Sequence, residues 1–239
     1  MKHLALNILL LLSTTLLLAC NPSADTVTAR DLDMTDIKNI EDKKKRFFDF
    51  MRPIIISENN EILKLRRRLL AAREKNNDLP FVLRTAKNYT VAWDMDAPNW
   101  EKLLERVDAV ALELALAQSA NETSWGQSRF ARKGNNFFGQ WCYQKGCGMI
   151  AKDRTDGAQH EIARFRSVNA SVRSYLKNLN TGRAYTSLRM VRRTNREAGN
   201  PVDAIAQAGG LILYSQRRHE YVKEIRAIIR TNNELMQRI

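Results

Sequence analysis

The 239-residue chain lacks the sequence patterns that mark several common classes of protein. It has ten glycines, and none forms the G-x-G-x-x-G or G-x-x-x-x-G-K-[ST] loop that holds a dinucleotide or a nucleoside phosphate. It has three cysteines and no C-x-x-C pair, which argues against zinc ribbons and thioredoxin-like chemistry. We therefore expect neither a cofactor nor a metal site.

Negative charge is also scarce. The chain has 26 Asp and Glu against 39 Lys and Arg, a formal net charge of +13. This excess favours an anionic partner, which could be a nucleic acid, an anionic lipid or an anionic polysaccharide. The hydrophobic fraction of 44% and the charged fraction of 27% are typical of a globular protein, so we expect one or two domains.

The N-terminus predicts an exported lipoprotein. Lys2 precedes an apolar run over residues 4–18, which is shorter than the roughly 20 residues of a membrane span and is typical of a signal peptide. The run ends in L-L-A-C, which resembles a bacterial lipobox, so residues 1–20 would be the signal and Cys20 the lipidated residue. Asn21, where an Asp would signal inner-membrane retention, favours the periplasmic face of the outer membrane. A soluble secreted protein is the alternative, and export in either form disfavours nucleic acid.

The two remaining cysteines, Cys142 and Cys147, would lie in an oxidising compartment. Gly146 and Gly148 give the segment between them room to turn, so a local disulfide is expected. Two free thiols or a metal site are the alternatives.

The chain divides into four parts by composition. After the signal, residues 21–45 show no apolar periodicity and predict a flexible tether spanning roughly 25 to 30 Å. Residues 46–99 contain an apolar block and helically spaced apolar positions, which predict a helical extension. Residues 100–235 contain a helix that is apolar almost all round, with Asp108 as its N-cap, and a β-hairpin within residues 149–166.

The buried helix leads into S-A-N-E-T-S-W-G-Q-S at residues 119–128, and this segment resembles the glucosaminidase family of bacterial cell-wall hydrolases, within the lysozyme superfamily. The family pattern A-x-x-x-x-E-[ST]-x-W-G-x-S is met, and G-N-N-F-F-G at residues 134–139 resembles its N-N-[LF]-F-G element. The family's closing Y-A-T-D-P-x-Y-A-x-K-[IL] segment is similar to residues 214–225, although Gln-Arg-Arg at 216–218 replaces T-D-P. In detail the chain resembles the Bax-like subgroup.

The resemblance implies a mainly α (α+β), lysozyme-like domain with a small β-hairpin lobe, here preceded by the helical extension. It implies an endo-β-N-acetylglucosaminidase that cleaves the β-1,4 bond between N-acetylglucosamine and N-acetylmuramic acid in peptidoglycan. We expect the protein to be a monomer. A lytic transglycosylase is one alternative. A non-catalytic murein-binding envelope lipoprotein is another, because residues 216–218 depart from the family pattern.

Glu122 is the predicted general acid. A carboxylate at the C-terminal end of a buried helix faces the negative pole of the helix dipole and loses solvation, and both effects raise its pKa. Glycoside hydrolysis needs such an acid to protonate the leaving oxygen.

The candidates for the second catalytic group are Glu161 and Tyr214, the positions at which the resemblance places a carboxylate on the β-lobe and a tyrosine of the groove. The alternative is that the acetamido group of the substrate itself takes this role. We expect Tyr214 to matter more, because a carboxylate on a Gly-flanked hairpin would be poorly fixed in space. Aromatic rings that stack on sugars and amides that bond their polar groups complete the predicted site. The predicted substrate-binding residues are Trp125, Asn135, Asn136, Phe138, Trp141 and Tyr221.

Overall fold

Ten α-helices and one small sheet form the described parts of the chain, residues 27–150 and 160–237 of this computed structural model. The predicted mainly α fold with a small β-lobe is confirmed. The helices are α1 (Ile40–Lys75), α2 (Leu79–Asn88), α3 (Trp100–Arg106), α4 (Leu112–Thr123), α5 (Arg129–Gly134), α6 (Val168–Thr181), α7 (Thr186–Glu197), α8 (Ala204–Ala208), α9 (His219–Thr231) and α10 (Asn233–Gln237).

The sheet has three short strands, β1 (Trp141–Cys142), β2 (Gly148–Met149) and β3 (Glu161–Ala163). β3 lies in the middle and pairs antiparallel with both neighbours, so Ile162 lies opposite Trp141 on one side and Met149 on the other. The predicted hairpin corresponds to β2 and β3. Strand β1 was not predicted, because two residues are too few to show an alternating pattern.

The predicted tether over residues 21–45 is wrong for residues 27–45. Ala29 and Leu32 are buried in the main core, and the backbone N–H of Val168 donates to the carbonyl of Val27 at 2.8 Å. The side chain of Asn39 then caps α1 by accepting from the backbone N–H of Asp42. The few apolar side chains of this segment are too widely spaced to form a periodic pattern, yet they suffice to dock it. The predicted signal peptide and Cys20 lie outside the described residues.

Helix α1 joins two hydrophobic cores. Its first half, with Phe47 and Ile55, packs in a core with α4, α6 and α9. Its last turns contribute Leu69 to a second core with α2 and α3, in which Phe81 and Leu103 are buried. The predicted extension therefore shares both cores with the predicted catalytic domain, and we expect the two to unfold together.

Asp108 does not cap α4, whose N-cap is Ala111. Its carboxylate is buried and pairs with Arg196 at 2.5 Å, with Arg66 at 3.7 Å and with Arg192 at 4.0 Å. Two of these arginines belong to α7, a helix that the sequence did not predict. Because α7 uses arginines on the face that packs inward, the apolar periodicity of a core-facing helix is weak there.

Candidate active site

Glu122 lies in the last turn of α4, where the chain makes an abrupt turn. Ser124, Trp125 and Gly126 follow with positive φ angles of 50°, 63° and 79°. The hydroxyl of Thr123 accepts the backbone N–H of Gly126 at 2.8 Å and so closes the turn. Two consecutive non-glycine residues in the left-handed region store strain, which is characteristic of functional sites. The buried helix therefore ends within the E-T-S-W-G segment, one residue after Glu122, whose side chain is half-buried.

A chain of hydrogen bonds runs through the core to Glu122. The hydroxyl of Tyr175 donates to Oε1 of Gln118 at 2.6 Å, and Nε2 of Gln118 donates to the hydroxyl of Tyr221 at 2.9 Å. The Tyr221 hydroxyl in turn donates to Oε1 of Glu122 at 2.8 Å. Tyr175, Gln118 and Tyr221 are at most 2% exposed. The protein thus fixes one oxygen of Glu122 through groups that are themselves held in the core.

The electrostatic environment favours a protonated Glu122. Burial raises the pKa of this carboxyl above its ordinary value of 4.5, and nearby Glu224 raises it further. The hydrogen bond from Tyr221 and the charge of Arg217 oppose this effect and lower the pKa, but burial is the largest cause. Position at the C-terminal end of α4 acts in the same direction as burial. The net result is an acid that holds its proton at a higher pH than a surface glutamate does.

The segment at residues 134–139 passes beside the Glu122 carboxylate. A Cβ added to Gly139, whose φ is +62°, would lie 3.0 Å from Oε2 of Glu122. Glycine therefore lets the backbone approach the carboxylate closely. The side chain of Asn136 holds this backbone by donating to the carbonyls of Gln140 and Ala163, and it is 1% exposed.

Three of the predicted substrate-binding residues have their polar or aromatic groups engaged by the protein itself. The side chain of Asn136 is saturated by bonds to the backbone, and that of Asn135 accepts from the N–H of Ala29 and donates to the carbonyl of Phe165. Phe138 is 1% exposed and stacks on Tyr175 with 3.8 Å between the ring centroids. Asn136 and Phe138 are therefore too buried to face a ligand, whereas Asn135 is only partly buried.

The other predicted contacts have different surroundings. Trp141 is 51% exposed on the β-lobe and stacks on His160 at 3.9 Å, which leaves a broad aromatic surface facing solvent. Trp125 is half-buried, with its ring edge against Phe47 and Phe48. Tyr221 contacts the catalytic candidate directly, as described above.

The two candidates for a second catalytic group are both fixed by hydrogen bonds. The carboxylate of Glu161 accepts from the backbone N–H groups of Gly146 and Gly148 at 2.9 and 2.8 Å. The hydroxyl of Tyr214 donates to the carbonyl of Phe138 at 2.9 Å, and its ring stacks on Tyr221. The premise that Glu161 would be poorly fixed is therefore wrong, because the turn of the β-lobe presents two amides to it.

The Cys142 and Cys147 sulfurs are bonded to each other, and Glu161 braces the loop that they close. The sulfurs and a Glu161 oxygen lie within 4.8 Å of one another. Bonded sulfurs are not the thiolates that a metal such as zinc requires, so this group does not form a metal site in its disulfide state.

Sequence reasoning missed Gln118 and Tyr175, the inner members of the hydrogen-bonded chain. Gln118 does carry a signal: it is a polar residue one helical turn before Glu122 on an otherwise apolar helix. Tyr175 lies in a segment that resembles the family pattern, but a tyrosine at an apolar position of a helix is usually part of the core, so its bond to Gln118 was not predicted. No helix within the described residues is long and apolar enough to cross a membrane.

Comparison with known proteins agrees with the geometry. Residues 97–234 match the glucosaminidase family, described as mannosyl-glycoprotein endo-beta-N-acetylglucosaminidase. Protein bax of Escherichia coli strain K12 is 32% identical over 200 residues, which are 81% of this chain and 71% of that protein. No solved structure gives a significant match.

Proposed function

Because the chain belongs to the glucosaminidase family, in its Bax-like group, we propose that it is a peptidoglycan hydrolase. The bond cleaved is the β-1,4 bond between N-acetylglucosamine and N-acetylmuramic acid, and Glu122 is the general acid. The proposal rests above all on the environment of Glu122. Its carboxyl is desolvated, lies at the end of a helix and has the backbone of Gly139 close beside it.

Glu122 would protonate the glycosidic oxygen as the bond breaks. A general acid must hold its proton at the working pH and release it when charge develops on the leaving oxygen. Burial provides the first property. The Tyr221 hydroxyl supports the second, because its hydrogen bond stabilises the carboxylate that forms. Tyr221 is thus a positioning residue for Glu122.

Glu161 is the proposed second carboxylate. It lies at the start of β3 on the β-lobe, together with the exposed ring of Trp141 on the paired strand. Its two amide donors hold the carboxylate oriented before substrate arrives. It would stabilise the positive charge of the sugar or activate water, whereas the hydroxyl of Tyr214 is engaged by a backbone carbonyl. Trp141 offers the aromatic surface on which a sugar ring stacks.

The decisive experiment compares wild-type protein with Glu122→Gln on purified sacculi. We expect the variant to bind but to lose cleavage by at least a hundredfold, since the amide has a similar shape and cannot donate the required proton. Glu113→Gln, on the first turn of the same helix, is the matched control and should cleave normally. Wild-type rates in Glu122→Gln would contradict the proposal.

Mass spectrometry of the released fragments separates the alternatives. Fragments with reducing-end N-acetylglucosamine support the glucosaminidase. Anhydromuramic ends would identify a lytic transglycosylase instead. If the wild-type protein binds murein and releases no fragments, the alternative that remains is a non-catalytic, murein-binding lipoprotein.

We also propose that the protein acts as a lipoprotein anchored through Cys20 on the periplasmic face of the outer membrane, where its substrate lies. The L-L-A-C sequence at residues 17–20 supports this placement. Cys20→Ala should move the full-length protein out of the membrane fraction without changing its activity on isolated sacculi. Membrane retention of that variant would show that the anchor is not a lipid on Cys20.

A further inference from the structure

A wide cationic cleft lies beside the turn that follows Glu122. We define the cationic cleft by its lining residues, which are Thr28, Arg30, Gln127, Arg129, Arg132, Lys133 and Asn135. Its volume is about 970 Å³. Four of the seven residues carry positive charge, and the other three are polar and uncharged. No acidic side chain is among them, but the carboxylate of Asp31 accepts from the backbone N–H and the hydroxyl of Thr28. The lining and this neighbour together carry four positive charges against one negative charge, which leaves a positive excess.

The charges of the cleft are available to a ligand. Arg30, Arg132 and Lys133 are exposed, and none of them forms an ion pair with another residue of the ranges 27–150 and 160–237. Arg129 donates to the carbonyl of Ile150 and so keeps only part of its guanidinium free. A concentration of unpaired cations creates a positive potential that attracts anions.

The cleft is close to the proposed catalytic carboxyl. Asn135 lines it, and Gly139, whose backbone passes beside the Glu122 carboxylate, follows only four residues later. Four residues span at most about 14 Å. Gln127, also in the lining, lies five residues beyond Glu122 through the tight turn described above. An extended peptide of four or five residues attached to a sugar near Glu122 is long enough to span such a distance.

We propose that the cationic cleft binds the carboxylates of the peptide stems of peptidoglycan. The inference rests on the proposed function and goes beyond it, because it makes the stem part of what the enzyme recognises. The polar and cationic lining fits an anionic peptide that also offers amide groups. The open form of the cleft leaves space for a branch from the glycan strand, whereas a planar lipid surface would not enter a concavity.

The expected effect is moderate, because the cations are exposed and their contacts are screened by salt. Removing two of the four charges should weaken binding of stem-bearing glycan roughly five- to tenfold at low ionic strength, and less at high salt. Binding of glycan without stems should not change.

The test measures binding of full-length protein in detergent, in a Glu122→Gln background that prevents turnover. The double variant Arg132→Gln/Lys133→Gln is compared with Arg84→Gln/Lys87→Gln, which removes one exposed arginine and one exposed lysine from α2. The probes are soluble glycan strands with their stems and the same strands after an amidase has removed them. Thermal melting of each variant confirms that it is folded.

Weaker binding of stem-bearing strands only, and only by the cleft variant, supports the proposal. Equal losses on both kinds of strand would overturn it, because the cleft would then contact the sugars. Unchanged binding of stem-bearing strands by the cleft variant would overturn it too. If the wild-type protein cleaves no murein while the stem-dependent loss remains, the proposed hydrolysis is wrong and the cleft still binds stems.

Discussion

Tyr221→Phe tests how the core tunes Glu122. The variant removes the hydroxyl that donates to Oε1 of Glu122 at 2.8 Å and leaves the ring. Burial raises the pKa of Tyr221 far above its ordinary value, so its hydroxyl stays neutral and donates at every working pH. The hydrogen bond lowers the pKa of Glu122, and its loss should therefore raise that pKa further.

The hydrogen bond favours the charged form of Glu122 because bonds to charged groups, about 1.5 to 3 kcal/mol, are stronger than bonds to neutral ones, about 0.5 to 1.5 kcal/mol. Removing it should therefore raise the pKa of Glu122. The same change leaves Nε2 of buried Gln118 without its acceptor, which should cost about 1 to 3 kcal/mol of stability in urea unfolding.

Two measurements follow the proton of Glu122. A general acid works in its protonated form, so the basic limb of the pH profile of kcat/KM should move to higher pH in Tyr221→Phe. Tyr143→Phe, a loss of hydroxyl from a tyrosine that is 73% exposed, is the matched control and should leave the limb in place. A basic limb that stays put or moves to lower pH in Tyr221→Phe would refute the reasoning.

Unfolding provides a second measurement, independent of activity. A carboxyl whose pKa is raised on folding gives its full stability below the unfolded-state value, 4.5 here, and that stability is lost as pH rises through the folded pKa. Relative to Glu122→Gln, the wild-type protein should therefore lose stability as pH rises above about 4.5. With Tyr221→Phe in both proteins of the comparison, the loss should be larger and extend to higher pH. A difference that does not depend on pH would show that folding does not shift the Glu122 carboxyl.

Two further predictions concern the β-lobe and the buried ion pairs. Glu161→Gln should reduce murein turnover at least tenfold more than Tyr214→Phe does on the same sacculi, because the second variant loses only a hydrogen bond to a backbone carbonyl. A larger loss of turnover in Tyr214→Phe would exclude Glu161 as the second carboxylate. Asp108→Asn should lower the free energy of unfolding in urea by about 3 kcal/mol or more, because the buried charge of Arg192 loses its partner. Glu61→Gln, which breaks the exposed pair with Lys64, is the control and should cost less than about 1 kcal/mol. Equal losses would show that burial of the Asp108 cluster contributes nothing.

The sequence predicts the part of the site that depends on local patterns. A helix that is apolar almost all round, followed by E-T-S-W-G, places a carboxyl at a buried helix end, and the structure has that arrangement. The raised pKa of Glu122 follows from the same two facts. These features depend on residues within one turn of Glu122, so the chain order alone specifies them.

Features that depend on distant residues could not be predicted in this way. The bond from Tyr221 to Glu122 joins residues 99 positions apart, and the contact from Tyr175 to Gln118 joins residues 57 apart. Asn136 looked like a sugar contact because asparagine is a polar residue in a polar loop. Only the fold shows that the Ala163 backbone, from β3, consumes its amide.

The docking of residues 27–39 limits how far the folded body can lie from Cys20. Val27 is held to Val168, so only six residues separate Cys20, the proposed site of lipid attachment, from the folded body. Whatever the conformation of these residues, the seven Cα–Cα steps from Cys20 to Val27 span no more than about 25 Å. With the proposed anchor, so short a connection would let the protein reach only the glycan nearest the membrane. The depth of cell wall open to its proposed activity would then depend on chain length, and inserting residues before Val27 would extend that depth.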